Sequence, residues 1–239
     1  MDYQAIINHL MKCCAEIETC SDDNADGRLS SAVGEKNILL QIKKYAEQHE
    51  IPIEISRHRE WYDFKFGDIY FNLKMTSGGT DNIFNKIAVI YSVTGKIPEN
   101  KNLNFDKFLE YVKTEKWKTS RDLMTEYHYL VYHKVLHEWT IVRLMDMLEY
   151  KPNVCNILQA SWNKEFTNAE IDESEWNKKI TRLLCAIQYS VKKDILTKLK
   201  FASYNFESNP AEDSKPVEDS KPVEDSITEQ FASLTIADG

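Results

Sequence analysis

Three polar residues, Asp63, Asn72 and Lys74, have side chains that together could do chemistry. A carboxylate and an amide offer oxygen atoms to a hard cation, and a lysine offers positive charge to an anionic substrate. The same residue types are also typical of the solvated side of a half-exposed hairpin, so composition alone leaves both interpretations open. The spacing of the three residues decides whether their side chains meet.

The surrounding pattern predicts a β-hairpin. Gly67-Asp68 is a two-residue turn signal between runs of strand-forming apolar residues. With the turn at that place, Asp63 lies directly across from Asn72, with Cβ atoms ~5 Å apart, and Lys74 is next on the same face. The apolar residues then share the opposite face, as a hairpin packed on a core requires. The register pairs Phe66 with Ile69, and the apolar set is Phe64, Phe66, Ile69, Phe71 and Leu73.

A second acid, Glu35, belongs to a predicted helix upstream of the hairpin. This helix is expected to begin near Ser30 or Ser31 and to run to about His49. Its buried stripe is formed by Ile38, Leu39, Ile42 and Ala46. Because Glu35 lies one turn before that stripe, it points inward, where an acid needs a partner. It is either a buried acid paired with a Lys or Arg, or the carboxylate that Asn72 does not provide.

The order Asp63-(x)8-Asn72-x-Lys74, followed by a Gly-rich bend and a helix-like run, resembles the core of the PD-(D/E)xK nucleases. Within them the chain resembles the type II restriction endonucleases, in particular the branch that includes EcoRV and HincII. Glu35 followed by the segment 45–49, and a polar strand followed by a long final helix, add to this likeness over about residues 30–200. The chain departs from the family pattern at Tyr62, which replaces a proline, and at Asn72, which replaces an acid.

The resemblance implies a mixed α/β fold, with a restriction-endonuclease-like core in which helices flank a central mixed sheet. It implies hydrolysis of duplex DNA at a short specific sequence with Mg²⁺, which Asp63, Glu35 and the Asn72 carbonyl oxygen would hold. Lys74 would contact the scissile phosphate. Two-fold recognition sites imply a homodimer, and a cognate DNA methyltransferase is expected in the same system.

Two other functions fit the sequence. One is a DNA-binding protein on the same fold that has lost catalysis, because Asn72 removes a negative charge from the metal site. The other is a non-enzymatic interaction protein that acts through its acidic tail. A cleavage assay separates the first from a nuclease, and a tail deletion separates the second.

Two further stretches are predicted to contact DNA. The segment 76–82 is rich in Gly and hydroxylated residues, and its backbone could approach a phosphate, although a plain turn is the simpler interpretation. In the segment 153–166, amides and hydroxyls alternate with apolar residues, so one strand face could read base edges or could merely be solvated. The predicted contacts are Thr76, Ser77, Asp81 and Asn82, and Gln159, Ser161, Asn163 and Lys164.

The formal net charge of −8 is unevenly distributed along the chain. Residues 207–239 contain nine acids and two lysines, a net of −7, and are predicted to form a disordered tail. Residues 1–206 then carry about −1 and are expected to form one catalytic and DNA-binding domain. Five cysteines without a CxxC pair indicate reduced thiols, and no apolar run approaches the ~20 residues of a membrane span. We therefore expect a cytoplasmic protein without membrane contact.

Overall fold

The computed structural model describes residues 1–18, 27–57, 60–148, 150–153, 155–162 and 172–204, excluding the side chains of 27–33 and 193–204. The predicted DNA contacts Asn163 and Lys164 and the acidic tail lie outside these ranges. The helices are α1 Tyr3–Glu16, α2 Gly27–Gln48, α3 Lys86–Thr94, α4 Phe105–Thr114 and α5 Glu173–Tyr204. The strands are β1 Ile53–Ile55, β2 Phe64–Phe66, β3 Ile69–Thr76, β4 Thr80–Asn82, β5 His128–His133, β6 Glu138–Arg143, β7 Lys151–Asn153 and β8 Ile157–Ser161.

Within the described ranges, five strands form a mixed sheet in the order β1-β2-β3-β5-β6. β3 and β5 are parallel, with α3 and α4 in the connection between them, and the other neighbours are antiparallel. A separate antiparallel sheet has the order β4-β8-β7. The prediction of a mixed α/β fold, with a central mixed sheet and flanking helices, is confirmed. No helix of the described ranges combines the length and apolar composition needed to cross a bilayer.

The hairpin has the predicted register. Phe66 pairs with Ile69 and Phe64 with Phe71 across the turn, in which Gly67 has a φ of 59°. The five predicted apolar residues lie on one face and are 0–2 % exposed. They pack against α1 and the buried stripe of α2, through Ile38, Ile42 and Ala46.

The opposite face of the hairpin is not the fully solvated surface that one of the two interpretations of the sequence implied. It packs on a second hydrophobic cluster, to which Tyr129 and Val131 of β5 and Trp176 and Ile180 of α5 contribute. Tyr70 of β3 is partly buried against this cluster. The polar residues of β3 are therefore half-buried at a sheet covered on both sides, where burying a polar group without a partner is unfavourable.

Side-chain caps fix the helix ends near the hairpin. Asn85 accepts hydrogen bonds from the N–H groups of Ile87 and Ala88, so the helix-like run that follows the bend begins at Lys86. Asn104 caps α4 and Asp172 caps α5. Helix α2 begins earlier than expected, at Gly27.

A buried charge cluster ties β5 and β6 to the adjoining loops. Arg121 forms a two-point ion pair with Glu126, at 2.8 and 3.0 Å, and also contacts Asp146. Arg143 pairs with the same Asp146. His128 lies beside this cluster, fully buried. Because the carbonyl of Glu126 can only accept, His128 Nδ1 carries a proton and donates to it at 2.9 Å.

Burial, reinforced by two nearby arginines, lowers the pKa of His128 to about 3, whereas an unfolded histidine has a pKa of about 6.5. Between these values the unfolded chain binds more protons, so stability falls as the pH is lowered below 6.5. We expect a loss of about 2 kcal/mol between pH 7 and pH 5 from this residue. Urea unfolding of the wild type and of His128→Gln at both pH values tests this. Equal pH dependence in the two proteins would contradict it.

Candidate active site

The carboxylate of Asp63 is fixed at the entry of the hairpin. The backbone N–H of Asp63 donates to Phe71 O at 2.9 Å, and its Oδ2 accepts from the Leu73 N–H at 2.7 Å. Regular strand pairing begins one residue after Asp63, so the predicted direct pair with Asn72 is replaced by this side-chain bond. Among the described residues, no donor is bonded to Asp63 Oδ1, so this oxygen is open to a ligand.

Asn72 presents an unusual oxygen atom. Its Oδ1 is buried and has no hydrogen-bond partner in the described part of the chain. Burying a carbonyl oxygen without a donor is costly, and such an atom in a native structure calls for a physical explanation such as a bound water or ion. Hard cations bind carbonyl oxygens of this kind. The neutral residue at this position is therefore compatible with a cation site.

Glu35 reaches the same place from helix α2. A Cβ atom built on Gly34 would lie 3.1 Å from both Sδ and Cε of Met75, so glycine allows α2 to approach the end of β3 closely. The Glu35 carboxyl is half-buried and lies within electrostatic reach of Lys74 and Asp63. Its inward orientation agrees with the prediction from its place one turn before the buried stripe.

Lys74 lies close enough to both acids for its charge to act on them. It is half-buried on β3, and its ammonium group acts on the carboxyls of Asp63 and Glu35 through its charge. No hydrogen bond or ion pair joins Lys74 to another described residue, so its donors are available to a ligand. Lys65, by contrast, pairs with Asp68 at 3.3 Å near the turn.

Burial raises the pKa of both carboxyl groups. The Leu73 N–H and Lys74 oppose this effect at Asp63. At Glu35, Lys74 opposes it and the charge of Asp63 adds to it. Two acids whose charged forms are destabilised thus share one lysine. A divalent cation would stabilise both carboxylates, so this arrangement favours binding of a cation.

The oxygen atoms of Asp63, Glu35 and Asn72 suit a hard cation, although they are too few to surround it without water. In the described ranges, no three His, Cys, Asp or Glu side chains form a group that could hold a metal ion. Asp63 and Glu35 would supply two carboxylates, and the unpartnered Asn72 Oδ1 a neutral oxygen. Mg²⁺ is bound in proteins through one or two carboxylates and keeps several waters. The available residues therefore suit Mg²⁺ in number and in type.

Of the DNA contacts predicted at the end of β3, one residue is buried and the next is exposed. Thr76 ends the strand and is only 5 % exposed, and its hydroxyl accepts a hydrogen bond from the Gly78 N–H at 3.1 Å. Thr76 is thus a buried residue that shapes the bend, and its predicted DNA contact stays a prediction. Ser77, the next residue, is exposed.

The small sheet brings together predicted contacts that are distant in sequence. Asn82 pairs with Gln159, and Thr80 with Ser161, on one partly exposed face. The segment 80–82 is therefore a strand, whereas the sequence predicted a bend throughout 76–82. Asp81 lies on the opposite face, where its carboxylate accepts a hydrogen bond from the Trp162 indole and its charge raises the pKa of Glu35. The predicted DNA contact at Asp81 stays a prediction.

Two residues near the site had no signal in the sequence. Tyr127, fully buried, contacts Asn72, and the charge of Lys134 acts on Glu35. The Lys134 N–H donates to Thr76 O at 2.8 Å, which places the turn after β5 beside the end of β3.

The chain matches no known protein-family model and no curated protein. The grouping of Asp63, Asn72, Lys74 and Glu35 therefore carries the functional argument.

Proposed function

We propose that this protein is a type II restriction endonuclease that hydrolyses phosphodiester bonds of duplex DNA at a short specific sequence, with Mg²⁺. The observation that supports this most is the meeting of Glu35, from a helix, with Asp63 and Lys74 of the hairpin. The sheet with flanking helices also agrees with the fold that the resemblance implies. We further propose a restriction-endonuclease-like core for this sheet.

Asp63, Glu35 and the Asn72 carbonyl oxygen would hold the metal ion. Bound Mg²⁺ would supply Lewis-acid activation of a water and would offset charge on the phosphate. The Leu73 N–H holds one oxygen of Asp63 in place, which leaves the other to face the ion. Half-burial of the two acids would keep bulk water out and strengthen their interactions with charged groups.

Lys74 would donate to a nonbridging oxygen of the scissile phosphate and help to orient the attacking water. Its ammonium group has no hydrogen bond to other described residues, so contact with substrate would break none. Because the two acids repel the phosphate, this cation would also reduce the electrostatic cost of bringing DNA to the site. Its position on a central strand would hold the charge in a fixed place.

The exposed face of the small sheet would contribute DNA contacts. Asn82, Gln159 and Ser161 offer amide and hydroxyl groups of the kind that read base edges, and Ser77 lies on the adjoining bend. Lys151 pairs with Gln159 and would add positive charge for the backbone of DNA. A homodimer would match a two-fold recognition site. A partner methyltransferase and a cytoplasmic location belong to the same proposal.

One observation favours a second function, an inactive DNA-binding protein on this fold. Asn72 is neutral, which weakens a site that would otherwise carry three acids. A supercoiled plasmid distinguishes the two functions. A nuclease should linearise it with Mg²⁺ and leave it intact with Ca²⁺ or EDTA. An inactive protein should bind specifically in all three conditions and never cut, and that result would reject the nuclease.

Removal of the acidic tail should leave cleavage intact. Truncation after Phe206 deletes the segment whose net charge of −7 repels DNA. We expect non-specific affinity to rise severalfold at low salt, with an unchanged cut site. Filter binding across a salt series and a digest of the same DNA measure both effects. Loss of cleavage in soluble truncated protein would contradict the prediction and would favour a function that resides in the tail.

A further inference from the structure

Two amide side chains lie next to each other on the outer face of the small sheet. Asn82 of β4 pairs with Gln159 of β8, so both side chains project from one face, with Cβ atoms ~5 Å apart. Asn82 is exposed and Gln159 is partly exposed. An amide can offer a ligand its oxygen, which accepts, or its NH₂ group, which donates. The group that each residue offers decides which base edge it can read.

The oxygen of Asn82 is bonded to the protein backbone. Its Oδ1 accepts a hydrogen bond from the Phe84 N–H at 3.0 Å. Because a backbone N–H can only donate, the atom that faces it must be the oxygen of the amide. No described residue hydrogen-bonds to Asn82 Nδ2. Asn82 therefore offers its NH₂ group to a ligand.

The orientation of Gln159 follows from that of its neighbour Asn153. Oδ1 of Asn153 accepts from the backbone N–H groups of Cys155 and Asn156, at 2.8 and 2.9 Å. These two donors fix the oxygen end of Asn153, so its Nδ2 is the atom that reaches Gln159, at 3.2 Å. An amide NH₂ can only donate, so it meets Gln159 Oε1. The NH₂ group of Gln159 has no partner among the described residues and is open to a ligand.

Helix α5 supports the turn that orients Gln159. The backbone N–H of Asn153 donates to the hydroxyl of Ser190 at 3.0 Å, and this hydroxyl donates to the carbonyl oxygen of Ile157 at 2.5 Å. Ser190 belongs to α5 and is 1 % exposed. Both ends of the turn between β7 and β8 are thus bonded to one buried hydroxyl. Recognition gains from side chains that the scaffold fixes before the ligand arrives.

The two charged residues of these three strands lie on opposite faces of the small sheet. Lys151 pairs with Gln159 and so lies on the face of the two amides. Asp81 lies on the other face, where it accepts from the Trp162 indole. The amide face is therefore positive, which suits the phosphates of DNA. A bend of three residues joins β4 to the strand of Lys74, so this face lies close along the chain to the candidate active site.

We propose that Asn82 and Gln159 read a guanine in the major groove as a pair of hydrogen-bond donors, and that Asn153 is the positioning residue that fixes Gln159 for this role. The substrate, duplex DNA, rests on the proposed function. The assignment of two donors rests on the hydrogen bonds of the protein.

Guanine is the base whose major-groove edge matches two donors. It presents two acceptors there, N7 and O6, whereas adenine and cytosine each present a donor, and thymine presents one acceptor and a methyl group. Asn and Gln commonly contact adenine by offering both the oxygen and the NH₂ group of one amide. In this protein the oxygens of Asn82 and Gln159 are directed to the protein, so that contact is disfavoured.

The first test uses wild-type protein and modified DNA. Duplexes with a randomised centre are selected for binding in Ca²⁺ and sequenced, and each guanine of the selected site is then replaced by 7-deazaguanine, which lacks the N7 acceptor. We expect one such replacement to weaken binding about tenfold. Inosine at the same place keeps N7 and O6 and should change binding by no more than about twofold. A selected site without guanine, or full affinity for 7-deazaguanine at every guanine, would overturn the proposal.

Asn153→Asp tests whether this guanine is read through Gln159. The aspartate keeps an acceptor for the N–H groups of Cys155 and Asn156, but it has no NH₂ group. It can bond to Gln159 only if that amide turns over, and the Gln159 oxygen then faces the base. We expect the selected site to change at one position from guanine to adenine or cytosine, which offer a donor. An unchanged base preference in folded Asn153→Asp would overturn the positioning role.

Lys151→Ala is the matched control on the same face. Loss of its charge should weaken binding to all sequences about equally and reduce the salt dependence, with the same preferred base. A change of base preference as large as that of Asn153→Asp would indicate a general distortion of the sheet and would overturn the assignment. If Asn153→Asp does not fold, Gln159→Ala decides, because it leaves the turn intact and should abolish the sensitivity to 7-deazaguanine at one position. Retained sensitivity at every position would reject the role of Gln159.

Failure of this inference and failure of the proposed nuclease give different results. Cleavage at a specific site that lacks such a guanine would overturn the inference and leave the nuclease standing. Guanine-dependent binding in Ca²⁺ without cleavage in Mg²⁺ would overturn the nuclease and leave the inference standing. Folded wild-type protein that selects no sequence would reject both.

Discussion

Lys74→Ala should reduce DNA cleavage by about a thousandfold while sparing sequence-specific binding in Ca²⁺. Lys74 is the cation beside both Asp63 and Glu35, and it makes no hydrogen bond or ion pair with another described residue. Its removal therefore breaks no such contact within that part of the protein. The variant loses the positive charge next to the proposed scissile phosphate, which would stabilise the negative charge of the transition state.

Lys65→Ala is the control for this prediction. Lys65 belongs to the same hairpin but lies toward the turn, where it pairs with Asp68 and its ammonium lies 5.5 Å from the centre of the Tyr70 ring. We expect less than a threefold change in cleavage. Single-turnover cleavage and binding in Ca²⁺ measure both variants. Near wild-type cutting by Lys74→Ala would contradict the site, and loss of specific binding would make Lys74 mainly a phosphate clamp.

Glu35→Gln should weaken Mg²⁺-dependent cleavage by orders of magnitude and leave folding almost intact. The amide keeps the shape of the side chain but removes the negative charge that a cation needs. Burial raises the pKa of Glu35, which shows that its charged form is destabilised without a cation. Replacing it should therefore leave thermal stability in EDTA unchanged or slightly higher.

Glu47→Gln provides the comparison on the same helix. Glu47 is exposed and pairs with Lys43 at 3.7 Å, so its charge is solvated. Cleavage rates across a Mg²⁺ series should separate the two variants, with a large rightward shift for Glu35→Gln alone. An unchanged rate at low Mg²⁺ would show that Glu35 is a structural acid.

Local sequence signals sufficed for the hairpin and for the inward orientation of Glu35. The Gly67-Asp68 turn and the two-residue alternation determine the register, and helical spacing determines the face of Glu35. These local signals could not predict which strands pair when they are far apart in the sequence. Thr80–Asn82 becomes a strand only because residues 159–161 lie beside it, about 80 positions later in the chain.

The sequence also did not predict what surrounds the polar residues in the folded protein. Alternation predicted that Asn72 and Lys74 share a face, but not that both side chains would be half-buried there. Tyr127 in a strand-like run resembles any core tyrosine, and its contact with Asn72 arises from the parallel pairing of β3 with β5. The sequence thus predicted the chemical groups of the candidate site, whereas tertiary packing determines how far each of them is buried.

The most direct test of the proposed nuclease is a digest of phage DNA with purified protein and Mg²⁺, with runoff sequencing of the fragment ends. We predict discrete fragments whose ends all carry one short two-fold sequence, and none of these fragments with Lys74→Ala. Intact DNA from folded wild-type protein, or ends without a common sequence, would contradict a site-specific endonuclease.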